Sequence, residues 1–241
     1  MNLFSGVVAV IFALKGDLAF ASFFILLGII FDFFDGFAAR LLNVSGELGK
    51  QLDSMADLVT SGVAPAMIMY KLLEKSQNQT EWYQEFSSKI GSWVPTDDNT
   101  IYFFPFLGLL IALASAYRLA NFNIDTRQSD SFIGVPTPAM TMVIAALPLI
   151  IAYSNIDIAV NLAQNKYVLI TITILFSLLM NAELPLFALK FKTFNFKDNL
   201  LVYLFLAFSL ILIILLQFVA IPIIIVVYIS LSLVMNLIKN K

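Results

Sequence analysis

Long apolar runs are the feature that most restricts how this chain can fold. Residues 200–238 contain no charged side chain, and residues 18–42 contain only three, all in their second half. A helix needs about 20 apolar residues to cross a bilayer. The hydrophobic share of the 241-residue chain, 60%, exceeds that of ordinary soluble domains. The sequence therefore predicts an all-α, polytopic integral membrane protein.

The apolar runs predict about eight transmembrane helices in a single domain that covers residues 1–241. Their expected bounds are approximately 3–14, 18–42, 50–73, 101–121, 137–153, 166–187, 200–218 and 222–238. Because the last two together exceed one crossing, Pro222 is expected to mark a reversal or a kink between them. Pro65 is expected to kink the third helix. Residues 74–100 are expected to form a solvated loop with a short surface helix, and a polar loop is expected around Asp157.

Two residue types that support much of enzyme catalysis are missing. The chain has no cysteine and no histidine, which excludes disulfides, Cys or His metal ligands, and triads that depend on histidine. Any catalysis must therefore use carboxylates, metal ions, Lys, Arg or hydroxyl groups. The formal net charge of −2 favours no class of partner, and no nucleic-acid partner is expected.

Four aspartates lie in the second and third predicted helices. Asp32 and Asp35 are three residues apart, and Asp53 and Asp57 are four apart. On a helix each spacing places both side chains on one face. A carboxylate in a membrane segment is costly and therefore indicates a functional site. If the two helices pack side by side, the four groups converge and require cations, and their oxygens suit Mg²⁺, Mn²⁺ or Ca²⁺.

Small residues accompany the carboxylates. Gly36 and Ala39 follow the first pair, and Gly49 precedes the second. Glycine and alanine allow a helix or a ligand to come close, so these positions are interpreted either as helix-packing residues or as ligand contacts. Arg40 is interpreted as a cation that extends to the membrane interface or contacts a phosphate.

Together these residues form one spaced pattern. It reads Asp32-x2-Asp35-Gly36-x2-Ala39-Arg40-x8-Gly49-x3-Asp53-x3-Asp57. The pattern matches the signature of the CDP-alcohol phosphatidyltransferase family without a gap or a substitution, and the chain therefore resembles that family. The resemblance implies a six-helix catalytic core at about residues 1–190 and two extra helices at about 198–238. Relatives carry a Pro-Asn-containing lead-in, which Asn2-Leu3-Phe4 resembles, so the first helix is expected to begin upstream.

The resemblance also implies a reaction and a role for each residue. Members of the family transfer a phospho group from a CDP-linked donor to an alcohol and release CMP. By resemblance, the aspartates would hold two Mg²⁺ or Mn²⁺ ions that neutralise the pyrophosphate. Asp57 would also act as the base that takes the proton of the acceptor hydroxyl. The implied metal ligands are Asp32, Asp35, Asp53 and Asp57. The implied contacts to the nucleotide and its phosphates are Gly36, Ala39, Arg40 and Gly49.

A second stretch resembles the branch of the family that makes phosphatidylserine. That branch shows Arg-Leu-Ala-Arg-Phe-Asn and then Gly-x-Pro-x-Pro-Ala. This chain has Arg118-Leu119-Ala120-Asn121-Phe122-Asn123 and then Gly134-x-Pro136-x-Pro138-Ala139, with Asn121 departing from the pattern. The resemblance implies CDP-diacylglycerol as donor and L-serine as acceptor, with Arg118 binding the serine carboxylate and Asn123 adding hydrogen bonds. The alternatives are a topology anchor for Arg118 and ordinary helix-start residues for the two prolines.

The cations predict an orientation. With the Asp-rich link in the cytoplasm and alternating helices, nine cations fall inside and five outside, as the positive-inside rule requires. The nine are Arg40, Lys50, Arg118, Arg127, Lys190, Lys192, Lys197, Lys239 and Lys241. We therefore expect a protein of a bacterial-type inner membrane with its active site facing the cytoplasm. Lys190 and Lys192 are expected to contact anionic membrane lipids, with the phosphates of the donor as the alternative. The resemblance implies a homodimer.

Other functions agree with parts of the sequence. Within the family, the acceptor could instead be glycerol phosphate or an inositol phosphate, although such acceptors would require more basic residues near the site. Cation transporters and intramembrane aspartyl proteases also carry aspartates in membrane helices. A transporter leaves the Gly, Ala and Arg positions unexplained, and a protease needs only two aspartates.

Overall fold

The computed structural model describes residues 1–42, 46–77, 103–124, 132–186 and 199–239. Within these ranges nearly every residue is helical, which confirms the predicted all-α architecture. The helices are α1 (Asn2–Leu14), α2 (Leu18–Leu41), α3 (Glu47–Asp57), α4 (Ala64–Gln77), α5 (Leu110–Ile124), α6 (Thr137–Tyr153), α7 (Asp157–Gln164), α8 (Lys166–Asn181), α9 (Leu200–Leu216) and α10 (Ala220–Lys239).

Helix α6 forms the centre of the bundle. It is apolar on all sides, and twelve of its residues between Thr137 and Ile150 are buried. A helix that is apolar all round is stable in a folded protein only when neighbours surround it. The neighbours are α2, α4 and α10, which pack against α6. This central helix fixes the position of α2, which carries Asp32 and Asp35.

Helices α1 and α2 pack closely on the segment that follows α3. Gly16 turns the chain between them with a φ of +83°, a value that glycine adopts without strain. A Cβ at Gly6 would overlap the hydroxyl of Thr60, and one at Gly28 would lie 2.6 Å from Thr60 Cγ2. Only glycine at these two positions lets three backbones approach one threonine.

The third predicted helix is interrupted just before Pro65. Residues Leu58–Val63 form a π-helical segment that joins α3 to α4. Proline has no N–H for the carbonyl four residues earlier, and that carbonyl, Ser61 O, instead accepts a hydrogen bond of 2.8 Å from Thr141 Oγ1. The expected kink at Pro65 is thus accommodated by a widened turn, and α6 supplies the missing donor.

Three of the described helical segments are long and apolar enough to cross a membrane, or four if the bent pair α7 and α8 counts as one. The three are Leu18–Ala39, Phe104–Ile124 and Leu200–Asn236, the second of which begins with the 3₁₀ segment Phe104–Leu109. The predicted count of eight crossings is not confirmed. The reason is length, since α1 and α6 have only 13 and 17 residues.

The long C-terminal apolar stretch reverses direction. Helix α9 ends at a 3₁₀ turn, Gln217–Val219, where Gln217 has a φ of 50°. The rings of Phe205 and Tyr228 lie 6.1 Å apart, whereas a straight helix would separate them by about 34 Å. The reversal expected near Pro222 therefore occurs a few residues earlier in the chain.

Two local predictions are corrected. The loop expected around Asp157 is helix α7, whose first turn carries that acidic side chain, a placement that favours a helix N-terminus. The sixth predicted helix ends at Asn181 rather than near residue 187, because the chain then becomes extended. It forms β2 (Pro185–Leu186), which pairs antiparallel with β1 (Phe132–Ile133).

Several predicted features lie outside the described residues. They are the surface helix within residues 78–100 and the cations Arg127, Lys190, Lys192, Lys197 and Lys241.

Candidate metal and phosphotransfer site

Three of the four predicted aspartates converge. Asp32, near the end of α2, and Asp53 and Asp57, on one face of α3, each offer one carboxylate oxygen, and these oxygens lie within 4.8 Å of one another. Asp32 and Asp57 are half-buried and Asp53 is exposed. The spacing along α3 aligns its two carboxylates, and the packing of α1 and the π-helical segment brings α2 beside them.

Asp35 lies apart from this group. Its side chain is 58% exposed, and its Oδ2 is 3.6 Å from the amino nitrogen of Met1. One turn separates Asp35 from Asp32 on α2, so the two carboxylates share a face of that helix, but Asp35 is not among the carboxylates whose oxygens lie within 4.8 Å of one another. The structure thus brings together three of the four carboxylates that the spacing predicts to meet.

Asn2 bridges two of these carboxylates and is not among the predicted site residues. Its Nδ2 donates hydrogen bonds to Asp32 Oδ1 at 3.2 Å and to Asp57 Oδ1 at 2.9 Å. The side chain is only 4% exposed, and no described residue donates to its Oδ1. A polar amide at the start of an otherwise apolar helix was the available signal.

Backbone contacts hold Asn2 in place. The Thr60 hydroxyl donates to the Asn2 carbonyl at 3.1 Å, and Thr60 follows Asp57 by three residues on the π-helical segment. The same threonine contacts Gly6 and Gly28, as described above. The segment that carries Asp57 is therefore tied to the start of α1 and to α2 through one side chain.

The donor set fits a hard divalent cation. Three carboxylate oxygens at this spacing repel one another, and a positive charge between them relieves the repulsion. The ligands are all oxygen, which suits Mg²⁺, Mn²⁺ or Ca²⁺. The Asn2 amide, whose Nδ2 and Oδ1 differ little in shape, could turn its unpartnered oxygen toward such a cation. The cluster can thus hold a divalent metal.

The small residues beside the cluster face open space. A Cβ built at Gly36 or at Gly49 would meet no described atom within 4 Å. Helix packing therefore does not explain these two glycines among the described residues, and room for a ligand remains next to the carboxylates. Ala39 is half-buried on the same stretch of α2. The side chain of Arg40 lies outside the described set.

The two predicted acceptor-binding residues have different surroundings. Arg118 is only 7% exposed, and its Nη1 donates to the Met180 carbonyl at 2.6 Å. Asn123 lies against α3, where its Nδ2 donates to Ser54 Oγ at 2.8 Å. Asn123 is therefore adjacent to the residue that follows Asp53, whereas Arg118 joins α5 to the end of α8.

The nearby prolines behave as helix-start residues. Pro136 is the N-cap of α6, and Pro138 occupies its first turn, where a missing N–H costs nothing. Gly134, with a φ of +74°, lies where a Cβ would be 2.9 Å from Arg118 Nη1. This loop thus packs on the guanidinium of Arg118.

Replacing Asn2 by alanine should destabilise the protein when no cation is bound. The substitution removes one donor shared by two carboxylates, and hydrogen bonds to charged groups contribute about 1.5–3 kcal/mol each. We expect a lower melting temperature in chelator than the wild type shows. Equal melting temperatures in chelator would contradict the bridging role.

Comparison with known proteins finds a family model and several similar proteins. The family model described as CDP-alcohol phosphatidyltransferase matches residues 1–229. A Bacillus subtilis protein named CDP-diacylglycerol–serine O-phosphatidyltransferase is 32% identical over 174 residues, covering 70% of this chain and 82% of that one. Proteins of the same name from Helicobacter pylori and Saccharomyces cerevisiae are 32% and 36% identical over 146 and 154 residues. These two matches cover 59% and 57% of this chain. They cover 52% and 47% of the two relatives, so this chain spans about half of the length of each.

Proposed function

We propose that this chain, which belongs to the CDP-alcohol phosphatidyltransferase family, transfers the phosphatidyl group of CDP-diacylglycerol to the hydroxyl of L-serine, yielding phosphatidylserine and CMP. The observation that carries the proposal is the convergence of Asp32, Asp53 and Asp57 in a chain similar to proteins named for this reaction. Family membership leaves the transporter and protease alternatives without support. Glycerol phosphate and inositol phosphate remain the alternative acceptors.

The donor pyrophosphate would bind beside the carboxylates. We assign two divalent ions, Mg²⁺ or Mn²⁺, to Asp32, Asp35, Asp53 and Asp57. When bound, such ions neutralise the pyrophosphate and make its phosphorus more electrophilic. The open space at Gly36 and Gly49 supports placing the nucleotide there, with Ala39 and Arg40 as further contacts.

Asp57 is the proposed base. The serine oxygen forms a bond to the phosphorus that carries the diacylglycerol, the bond from that phosphorus to CMP breaks, and the serine proton passes to the Asp57 carboxylate. Asp57 is half-buried at the end of α3, and Asn2 holds one of its oxygens by a hydrogen bond. That bond restricts the carboxylate to one orientation, which favours proton transfer.

Arg118 and Asn123 are the proposed acceptor contacts. Asn123 lies beside Ser54, the neighbour of Asp53, which supports a place for the acceptor between α3 and α5. The bond from Arg118 to the Met180 carbonyl holds the guanidinium in a fixed position.

The membrane arrangement is also proposed. The distribution of cations supports a cytoplasmic active site, and eight crossings would require the bilayer to thin around the short helices α1 and α6. Only 6% of the most apolar 18-residue stretch within Leu200–Asn236 is buried. This surface supports contacts of α9 and α10 with lipid or with a second copy, which agrees with a homodimer built on a catalytic core of about residues 1–190.

The acceptor is tested by measuring CMP release from CDP-diacylglycerol in mixed micelles with Mn²⁺. We expect release with L-serine and only background release with glycerol 3-phosphate or myo-inositol phosphate. The Asn123→Ala variant should raise the KM for serine with little change in the KM for the donor. Release that depends on glycerol 3-phosphate instead would keep the family chemistry and reject serine as the acceptor.

A further inference from the structure

A cavity lies at the end of the bundle away from the carboxylates. Its volume is about 690 Å³, within the usual range of ligand pockets. It is bounded by the turn between α1 and α2, the last turns of α4 and α6, and the end of α7. No residue assigned above to the reaction lines it.

The cavity lies far from the proposed active site, as the lengths of the helices between them show. Asn2 begins α1 at the carboxylates, and Lys15 follows the end of α1 at the cavity. Thirteen helical residues extend about 20 Å. The path from Asp57 to Lys75 passes through the π-helical segment and is shorter than the about 27 Å of a regular α-helix with the same number of residues. These lengths approach the hydrocarbon thickness of a bilayer, about 30 Å. The cavity therefore lies near the opposite membrane interface.

The mouth of the cavity carries more positive than negative charge. Lys15 and Lys75 line it, and both are exposed. Lys75 donates to the Gly16 carbonyl at 3.3 Å, and neither ammonium forms an ion pair with a carboxylate of the described residues. Asp17 is the acidic residue of the lining, and it accepts the N–H of Phe20 at 3.3 Å. Two cations and one carboxylate give the mouth a net positive charge.

The inner wall is apolar. It is formed mainly by Leu18, Leu72, Pro148, Ile151 and Ala152. Such a wall accepts a hydrocarbon chain, whereas the mouth accepts a phosphate. A soluble anion would use only the mouth.

Helix α7 indicates that the cavity meets the membrane interface. This eight-residue helix exposes Ile158 (73%) and Leu162 (51%), and it bends by 69° from α8. A short helix with an exposed apolar face at such an angle lies along the interface. Gln164, its last residue, lines the cavity.

From this arrangement we infer that the cavity binds an anionic glycerophospholipid of the membrane leaflet opposite the active site. The phosphate lies between Lys15 and Lys75, and an acyl chain lies against Leu72 and Ile151. This lipid is distinct from the donor, because it binds about one helix length from the carboxylates. Its binding does not depend on the proposed function.

The inference is tested with the delipidated full-length chain in detergent and chelator. Native mass spectrometry and thermal unfolding would follow titration with phosphatidylglycerol, phosphatidylcholine or inorganic phosphate. We expect one tightly retained phosphatidylglycerol and a rise in melting temperature, with weaker effects of phosphatidylcholine and none of phosphate. Lys15→Gln and Lys75→Gln should each weaken phosphatidylglycerol binding about fivefold, and the double variant about thirtyfold.

Two further variants separate the cavity from general charge effects. Lys71→Gln removes the same charge one turn earlier on α4, where Lys71 is paired with Glu74 at 2.7 Å, and should leave lipid affinity unchanged. Ala152→Phe keeps both lysines but fills the apolar wall, and should abolish lipid retention. Equal losses in Lys71→Gln and Lys75→Gln, unaltered binding by the double variant, or equal stabilisation by inorganic phosphate would each overturn the inference.

Discussion

The Asp57→Asn variant should lose serine-dependent CMP release by about 10² to 10⁴-fold, the usual contribution of a general base. Asparagine has nearly the same size as aspartate, and its carbonyl oxygen can still accept the hydrogen bond that Asn2 gives to Asp57. It cannot take the proton of the serine hydroxyl. The loss should therefore appear in kcat, with the melting temperature in chelator little changed, as measured by CMP release and thermal unfolding.

A matched control for this variant is available in the same chain. Asp157 is an exposed aspartate in the first turn of α7, outside the carboxylate cluster. Asp157→Asn changes the same functional group and should retain full activity. If Asp57→Asn keeps more than about a tenth of wild-type kcat, proton transfer to Asp57 is not a main step of catalysis.

Removing the metal, or one of its ligands, should abolish the reaction. Asp53 offers one of the three oxygens within 4.8 Å, and its exposed position places it at the entrance of the site. The Asp53→Asn variant removes a proposed ligand and one negative charge of three, so we expect Mn²⁺ affinity to fall by more than the about 10 to 100-fold that is usual for a residue that only orients a ligand. Binding is measured by titration calorimetry or by the electron paramagnetic resonance of free Mn²⁺, which does not depend on activity.

The Asp35→Asn variant tests the number of bound metal ions. Because it lies apart from the three-carboxylate group, Asp35→Asn should reduce the number of bound Mn²⁺ ions from two to one while the tighter site persists. If the Asp53→Asn variant binds Mn²⁺ as strongly as the wild type, the cluster is not the metal site. Unchanged stoichiometry in Asp35→Asn would limit the metal ligands to the other three aspartates.

Much of the fold could be predicted because apolar runs and helices correspond locally. The predicted bounds of the fifth helix, 137–153, are those of α6, since Pro136, Pro138 and the polar residues after Tyr153 delimit it. The helix at Asp157 was missed because eight residues give too few turns for a periodic pattern. The pairing of β1 with β2 joins segments about fifty residues apart, and nothing near either segment indicates its partner.

The candidate site also has features that the local sequence predicts and features that it does not. The spacing of Asp53 and Asp57 by itself determined that both face one side of a helix, because helical periodicity depends only on the local backbone. The contact of Asp32 with that pair, the bridge from Asn2, and the separate position of Asp35 depend on distances between helices.

Those distances were decided only by tertiary packing. Gly6 and Gly28 allow α1 and α2 to close on Thr60, and Pro65 frees a carbonyl that Thr141 of α6 then binds. Each contact joins residues that are far apart in the chain, so no local pattern records it. The sequence by itself determined a bundle of membrane helices with carboxylates on the faces of two of them. The close packing of backbones at Thr60 decided which of those carboxylates meet, because interhelical distance depends on the size of side chains from several helices at once.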